Sequence, residues 1–195
     1  MKKVSLILIV LVVSFSSSVY AKKCIQGNCT NGEGTCLFDN GNKHTGSFVN
    51  DKREGYGVFL FTDGDKYEGQ WRNDLYEGEA KLTTANFSFK GSFLEGKRNG
   101  KGTYTSKDGT SYVGEYVNDL PEGKGTYKDS SGLLYRGDWK NGKFNGVGTL
   151  ILPNGVKYIG EFTEGEKDGE GIMYEPNGSI RLKGRWTNGD YDHSF

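Results

Sequence analysis

This chain has few residues of the kinds that form catalytic pairs and few segments that look helical. It also has no excess of positive or negative charge. Its 195 residues include three prolines, two methionines and two histidines. The two histidines, His44 and His193, lie at opposite ends of the chain, and no Cys/His pair, H-E-x-x-H or G-x-S-x-G motif is present. Basic and acidic residues number 25 each, which argues against a polycation that binds nucleic acid non-specifically. This composition favours a protein that is not an enzyme.

Long apolar runs are also missing, apart from one at the N-terminus. Residues 1–21 read MKKVSLILIVLVVSFSSSVYA, with two lysines, an apolar stretch from Val4 to Val13 and a polar segment that ends at Ala21. This order is typical of a secretory signal peptide that is cleaved after Ala21. A membrane anchor would need about 20 apolar residues, roughly twice the length of this stretch. We therefore expect export to the periplasm or the extracellular space.

Glycine is abundant, and its positions repeat. The segment YRGDWKNGKFNGVGTL (135–150) places Gly137 midway between Tyr135 and Trp139 and continues to a G-x-G that begins at Gly146. The chain repeats this arrangement at a spacing of about 23 residues. The glycines equivalent to Gly137 are Gly46, Gly69, Gly91, Gly114, Gly160 and Gly184. Such a period predicts a repeat architecture.

Each repeat predicts a β-hairpin. Alternate side chains of a strand share a face, so Tyr135, Gly137 and Trp139 lie on one face and mostly polar residues lie on the other. The glycine leaves a gap over the backbone that a ring from a neighbouring strand can fill. Asp-Gly, Asn-Gly and Ser-Gly pairs mark turns, and segments such as KNGKFN are expected to be loops of about six residues. The predicted fold is all-β, an elongated single-layer antiparallel meander of about thirteen strands.

The unit Y-x-G-x-W/F-x-N-G-x-x-x-G-x-G-x-Y/L resembles the motif of MORN (membrane occupation and recognition nexus) repeats. After the predicted signal peptide (1–21), the resemblance divides the chain into an N-terminal half repeat (22–43), six full repeats (44–181) and a C-terminal half repeat (182–195). His44, Ala80 and Leu182 depart from the motif. Enzymatic activity in this family usually comes from an appended domain, for which we see no residues. The resemblance therefore implies a non-enzymatic protein without a cofactor.

All three cysteines lie in the N-terminal half repeat, at Cys24, Cys29 and Cys36. An exported chain meets an oxidising environment, so we expect one disulfide that fixes this end of the array. The sequence leaves the pairing open among the three possible choices. The remaining thiol is either buried, since Cys36 occupies a ring position of the repeat, or available for an intermolecular bridge.

The aromatic side chains form a stripe on one face, which is our candidate binding surface. They are also the only core that a single-layer sheet possesses, and the two roles are compatible. The candidate residues are Tyr67, Trp71, Tyr112, Tyr116, Tyr135, Trp139, Tyr158, Phe162 and Trp186. We predict an exported scaffold whose aromatic-lined trough binds another protein or a second copy of the chain.

Two other ligand classes remain open, namely membrane phospholipid and envelope glycan. MORN repeats are often linked with phospholipid binding, but the basic residues here form only short pairs. Glycan binding would require exposed rings flanked by polar groups. The pairs Asp63-x-Asp65 and Asp190-x-Asp192 resemble parts of a calcium loop without its remaining ligands, and the G-x-G segments lead into strands instead of a phosphate-binding helix. No metal site is therefore expected.

Overall fold

The computed structural model describes residues 21–193, so the predicted signal peptide lies outside the described residues except for Ala21. Within this range the chain forms strands and turns and contains no helix that is long and apolar enough to cross a membrane. Sixteen strands follow one another in the sheet in sequence order, without a crossover. The described chain divides into two compact units, residues 21–107 and 108–193.

The first unit is a meander of eight antiparallel strands, each paired with the next along the chain. Its buried side chains are mainly aromatic and include Phe48, Tyr67, Trp71 and Phe89. The strands are β1 (Lys22–Gly27), β2 (Gly32–Phe38), β3 (Lys43–Val49), β4 (Lys52–Leu60), β5 (Lys66–Arg72), β6 (Leu75–Thr83), β7 (Phe87–Leu94) and β8 (Lys97–Ser106).

The second unit repeats this arrangement with eight further antiparallel strands, again paired in sequence order. Tyr112, Tyr135, Trp139, Tyr158 and Trp186 are among its buried side chains. The strands are β9 (Ser111–Val117), β10 (Leu120–Lys128), β11 (Leu134–Lys140), β12 (Lys143–Ile151), β13 (Lys157–Thr163), β14 (Glu166–Tyr174), β15 (Ile180–Thr187) and β16 (Asp190–Tyr191).

The predicted all-β meander is confirmed, but two details of the prediction are wrong. The sheet has sixteen strands, more than the thirteen or so expected. The segment KNGKFN is not a loop, because β11 ends at Lys140 and β12 begins at Lys143. Asn141 and Gly142 form a two-residue turn with φ values of 49° and 75°. Positive φ at both positions is what a tight hairpin turn requires, and Asn-Gly supplies it at low cost.

The repeated glycines face one another across the strands. Gly137 of β11 lies opposite Gly125 of β10 and Gly148 of β12. The ring of Tyr135 fills the resulting gap, since a Cβ built on Gly148 would lie 2.5 Å from Cε2 of this ring. The ring covers its own strand as well, because a Cβ on Gly137 would lie 2.6 Å from the Tyr135 hydroxyl. The prediction of a ring from a neighbouring strand is therefore wrong for Gly137, because the ring found there is that of Tyr135 on the same strand. Gly148 of β12 is the glycine that a ring from a neighbouring strand covers.

Candidate interaction surfaces

The nine candidate aromatic residues all lie in the core, and none is more than 3% exposed. We call the side of the sheet that carries Tyr135, Gly137 and Trp139, with their equivalents in other repeats, the ring face. We call the opposite side the outer face. A ring that stacks on a ligand must be accessible, so this burial supports the structural role of the nine residues. Their role in binding stays a prediction.

The rings of the ring face pack against one another in a regular way. Tyr135 stacks on Phe144 at a centroid distance of 3.7 Å and meets Trp139 edge to face at 5.4 Å. Tyr67 and Tyr76 form the same stacked pair in the first unit, also at 3.7 Å. Such pairs contribute about 0.5–1.5 kcal/mol beyond the burial of their area. The ring face is thus the core of each unit.

Four buried tyrosines donate their hydroxyl groups to the backbone of their own strands. Tyr135 donates to the carbonyl oxygen of Asp138 at 2.8 Å, and Tyr67 donates to that of Gln70 at 2.7 Å. Tyr112 and Tyr158 make the equivalent bonds. Burial raises the pKa of Tyr158 to about 12 and that of Tyr135 further. These hydroxyls therefore remain protonated donors at any ordinary pH.

The outer face of the second unit carries a row of side chains that crosses six strands. Directly opposite residues of an antiparallel pair point to the same side, so the strand register defines the row. Ile159 of β13 lies opposite Thr149 of β12 and Ile172 of β14, and Thr149 lies opposite Arg136 of β11. The full row is Val113, Thr126, Arg136, Thr149, Ile159 and Ile172. We call it the outer row.

Several apolar side chains of this face are open to solvent. Val113 is 53% exposed and Ile159 is 38% exposed, and the neighbouring Val147 is 58% exposed. Val147 lies opposite Glu161, and Lys124 forms an ion pair with Asp138, so charges of both signs surround these side chains. An apolar surface of this kind is suited to contact with another polypeptide.

The structure resolves the pairing of the cysteines, which the sequence left open. Cys24 and Cys29 form a disulfide with a Cα–Cα distance of 5.6 Å. Cys36 is a free thiol with no exposed surface. Of the two fates considered for the remaining thiol, the structure therefore shows burial. Cys29, Cys36 and Phe48 form one apolar cluster at this end of the sheet.

His44 takes the place of the ring-face tyrosine in the first full repeat. It is fully buried, makes edge-to-face contacts with Phe48 and Trp71, and has no hydrogen-bond partner for either ring nitrogen. Burial, assisted by the nearby charge of Arg53, lowers the pKa of His44 to about 3. The structural interpretation of this histidine is consistent with these contacts. His193 is exposed and contacts the ring of Tyr191.

A Cys/His pair that no sequence motif indicated does exist in space, because Cys36 lies directly opposite His44 across β2 and β3. Catalytic pairs of this type need a thiolate and a base whose pKa lies near the working pH. Here burial raises the pKa of the Cys36 thiol and lowers that of His44. Both groups are therefore neutral, and the pair lacks the activation that nucleophilic catalysis requires.

Sequence analysis also missed the residues that join successive hairpins. Glu122 Oε2 accepts a hydrogen bond of 2.8 Å from the backbone N–H of Asn141 in the next hairpin turn, and Glu54 does the same for Asn73 at 2.9 Å. Asn31 and Glu77 occupy the equivalent positions. The signal was present as an Asn, Glu or Asp directly before each G-x-G and before the G-x-A that begins at Gly78, repeated with the period of the array.

The carboxylates of the first calcium-loop fragment, Asp63-x-Asp65, serve local structure instead. Asp63 Oδ1 accepts the backbone N–H of Asp65, whose own Oδ1 accepts the N–H of Ala85 in the following turn. Over residues 21–193, no group of three or more His, Cys, Asp or Glu side chains is arranged to hold a metal ion.

The repeat seen in the fold matches a known family. The MORN repeat profile fits the chain seven times, at residues 30–43, 44–66, 67–88, 89–111, 112–133, 135–157 and 158–180. The chain belongs to the MORN-repeat family. Repeats of this family are in general non-catalytic and act in contacts with proteins or membranes. No curated protein sequence matches this MORN-repeat chain.

Solved structures resemble this MORN-repeat chain in fold. The TCP domain of SAS-4 (dCPAP) from Drosophila melanogaster, in complex with a proline-rich motif of Ana2 (dSTIL), is 17% identical with a TM-score of 0.50. The match covers 84% of this chain and 90% of that one. The wild-type TCP10 domain of Danio rerio CPAP is 11% identical over 80% of this chain and 90% of that one, with a TM-score of 0.20.

Proposed function

We propose that this MORN-repeat chain is an exported, non-enzymatic protein-interaction module, and that it docks an extended polypeptide on the outer face of its second unit. The observation that carries the proposal is the exposure of Val147 and Ile159 on one side of the adjoining strands β12 and β13, together with that of Val113 on the same face of β9. The aromatic residues predicted from the sequence to line a trough support this function indirectly. Their packed rings hold together the strands that present the outer face.

The chemistry of the outer row favours a polypeptide over the two alternative ligands. An anionic membrane calls for a cluster of basic side chains. Arg136 of the outer row is the one cation among aliphatic and threonine side chains, and the acidic Asp138 follows it two positions along the same strand. A glycan calls for accessible aromatic rings, whereas the rings of the nine candidates are buried. Branched aliphatic side chains on a rigid sheet instead suit the apolar side chains of a peptide.

We further propose that the docked segment is rich in proline. Such segments are extended before they bind, so they lose little conformational entropy on a flat surface. The similarly folded TCP domain of SAS-4 forms a complex with a proline-rich motif, which supports this choice.

Export is the second part of the proposal, and it rests on residues 1–21. The Cys24–Cys29 disulfide supports it, because disulfides persist in oxidising compartments outside the cytoplasm. Expression of residues 1–195 in a secreting host should yield a product outside the cytoplasm that begins at Lys22. Retention of the full chain inside the cell with Met1 intact would contradict export.

The docking proposal is tested with residues 22–195 and labelled peptides, by fluorescence anisotropy. A panel of proline-rich peptides is compared with matched peptides in which alanine replaces each proline. We expect binding of a proline-rich member and a loss of roughly tenfold or more in affinity for Val147→Ser/Ile159→Ser, since both side chains lie at the proposed contact. Val49→Ser is the matched control, because Val49 is 48% exposed and lies in the first unit.

The ring face is examined in the same assay with Trp139→Phe, which keeps an aromatic ring in the core. Affinity lost in Trp139→Phe and retained in Val147→Ser/Ile159→Ser would place the docking site on the ring face. Equal binding by all variants, or no binding to any peptide, would contradict docking on the outer row. Binding to anionic vesicles or to glycans without peptide binding would favour the alternative ligands.

A further inference from the structure

The three cysteine sulfurs of the first unit lie on the same side of the sheet. Cys24 of β1 and Cys36 of β2 are directly opposite each other in the strand register, so their side chains share the ring face. Cys29 follows β1 in the turn, and its Sγ would lie 2.8 Å from a Cβ built on Gly34. Gly34 precedes Cys36 by two positions and therefore shares its face. The disulfide and the free thiol are thus neighbours.

The three residues differ in their access to solvent. Cys24 is exposed on β1, the first strand of the sheet, whereas Cys29 is 5% exposed and Cys36 is fully buried. One sulfur of the disulfide can therefore be reached from solution, while the free thiol lies behind it in the cluster with Phe48. This order of exposure resembles a site in which an outer sulfur is attacked and an inner thiol completes the exchange.

We propose that this end of the chain is a thiol–disulfide exchange site for external thiols, in which Cys24 is attacked and Cys36 resolves the product. The external thiolate attacks Sγ of Cys24, the Cys24–Cys29 bond breaks, and Cys29 leaves as a thiolate that takes up a proton. Cys36 then attacks the same Sγ, the mixed disulfide breaks, and the external thiol departs with the proton that Cys36 gave up. The disulfide has moved to Cys24–Cys36, and no net oxidation has occurred.

The strand register makes the second disulfide feasible. Directly opposite residues of an antiparallel pair have Cα atoms about 4.5–5.5 Å apart, within the range that disulfides span. Cys24 belongs to both disulfides of the proposed exchange, so it is the exchanged sulfur, and Cys29 and Cys36 alternate as its partner. The Cys24–Cys29 bond closes a short loop, whereas a Cys24–Cys36 bond would fasten the first strand to the second.

The surroundings of Cys36 keep the site inactive while the strands are closed. Burial raises the pKa of its thiol, and this outweighs the opposing influence of Lys22 and Arg53. A protonated thiol is a poor nucleophile. Attack on Cys24 by the external thiol frees Cys29 from the bond, so the first strand is no longer tied to the turn that follows it. Cys36 can then become solvated and react.

Reduced glutathione is the probe, and a protease that cleaves after glutamate supplies the readout. Cleavage after Glu33 separates Cys24 and Cys29 from Cys36, so the two fragments stay linked only when Cys36 is part of the disulfide. Fragmentation of the linked species in the mass spectrometer then shows whether Cys24 or Cys29 is its partner. The folded chain 22–195 is incubated with glutathione, and the exchange is then stopped with acid and N-ethylmaleimide. The protein is digested, and the masses of the fragments are measured by mass spectrometry. We expect linked fragments to accumulate in the wild-type chain and little glutathione to remain attached.

Two variants make the result decisive. In Cys36→Ser, linked fragments should be absent, and glutathione attached to the fragment that holds Cys24 should rise roughly tenfold above wild type. Cys29→Ser tests the geometry without depending on the first variant, since oxidised glutathione should join Cys24 to Cys36 in the folded protein. The proposal is overturned if the wild-type disulfide stays at Cys24–Cys29 and Cys36→Ser carries no extra glutathione. It is equally overturned if Cys29→Ser remains folded by circular dichroism with both thiols unpaired.

Discussion

At the scale of single residues, the paired glycines set the distance between neighbouring strands. A Cβ built on Gly137 would lie 2.5 Å from Cα of Gly148 and 2.7 Å from the carbonyl oxygen of Val147. Both are backbone atoms, which cannot move aside as a flexible side chain would. Ala80 shows that one Cβ is tolerated in one repeat, where it faces Gly69. The glycine between two rings is therefore a requirement of packing more than of backbone conformation.

Gly137→Ala should lower the free energy of unfolding by about 1–3 kcal/mol, because the added methyl group overpacks the backbone of β12. The measurement is a urea unfolding curve, with Thr149→Ala as the control on the outer face. We expect the control to change stability by less than about 0.5 kcal/mol. An unchanged urea midpoint for Gly137→Ala would show that β11 and β12 can move apart to accommodate the methyl group without losing stability.

His44 should make stability depend on pH. Its pKa is lowered from 6.5 to about 3 in the folded chain, so between these values the unfolded chain binds a proton that the folded chain does not. Stability should therefore fall as pH drops below about 6.5, by up to about 1.4 kcal/mol for each pH unit. His44→Tyr should abolish this part of the slope between pH 7.5 and pH 5.5 in urea titrations. A slope that the variant retains would assign the pH dependence to other groups.

At the scale of elements, the sequence predicted that the hairpins form better than it predicted where their strands begin and end. Alternation around Gly137 correctly places Tyr135 and Trp139 on one face, because the side-chain period of a strand is fixed by geometry. The two-residue turn at Asn141-Gly142 was missed because the residues after it look like a loop. Lys143 and Asn145 are polar, and Phe144 is a single apolar residue between them. The pairing of the cysteines depends on how β1 turns into β2, where the strand register shifts between Cys24 and Gln26, and composition alone does not reveal this geometry.

Glu122 should stabilise the hairpin turn that follows it in the sheet. Its carboxylate accepts the N–H of Asn141 at 2.8 Å, and this turn amide has no partner within its own hairpin. Glu122→Ala should cost about 1 kcal/mol and should speed hydrogen exchange at Asn141, because the amide loses its acceptor. Glu170→Ala, an exposed carboxylate of β14, is the control and should leave that amide unchanged. Equal protection of Asn141 in both variants would contradict this role.

At the scale of the whole molecule, each unit is held together by contacts between strands that are successive in sequence. The core of the second unit is a chain of rings in which Tyr135 contacts Phe162 at 5.2 Å, while further along Trp186 contacts Tyr158 at 4.9 Å. Stability in such an array is close to a sum over neighbouring repeats. Local damage should therefore remain local.

Trp186→Ala tests this locality at the end of the second unit. Trp186 is 1% exposed and lies between Tyr158 and Tyr191, so its removal should cost the last strands about 3–5 kcal/mol. Hydrogen exchange followed by mass spectrometry should show faster exchange in β13 to β16 and unchanged protection in β10 and β11. Arg185→Ala, an exposed neighbour on the outer face, is the control and should leave both regions as they are. If exchange instead rises equally through the second unit, its strands unfold as one cooperative body and the nearest-neighbour description fails.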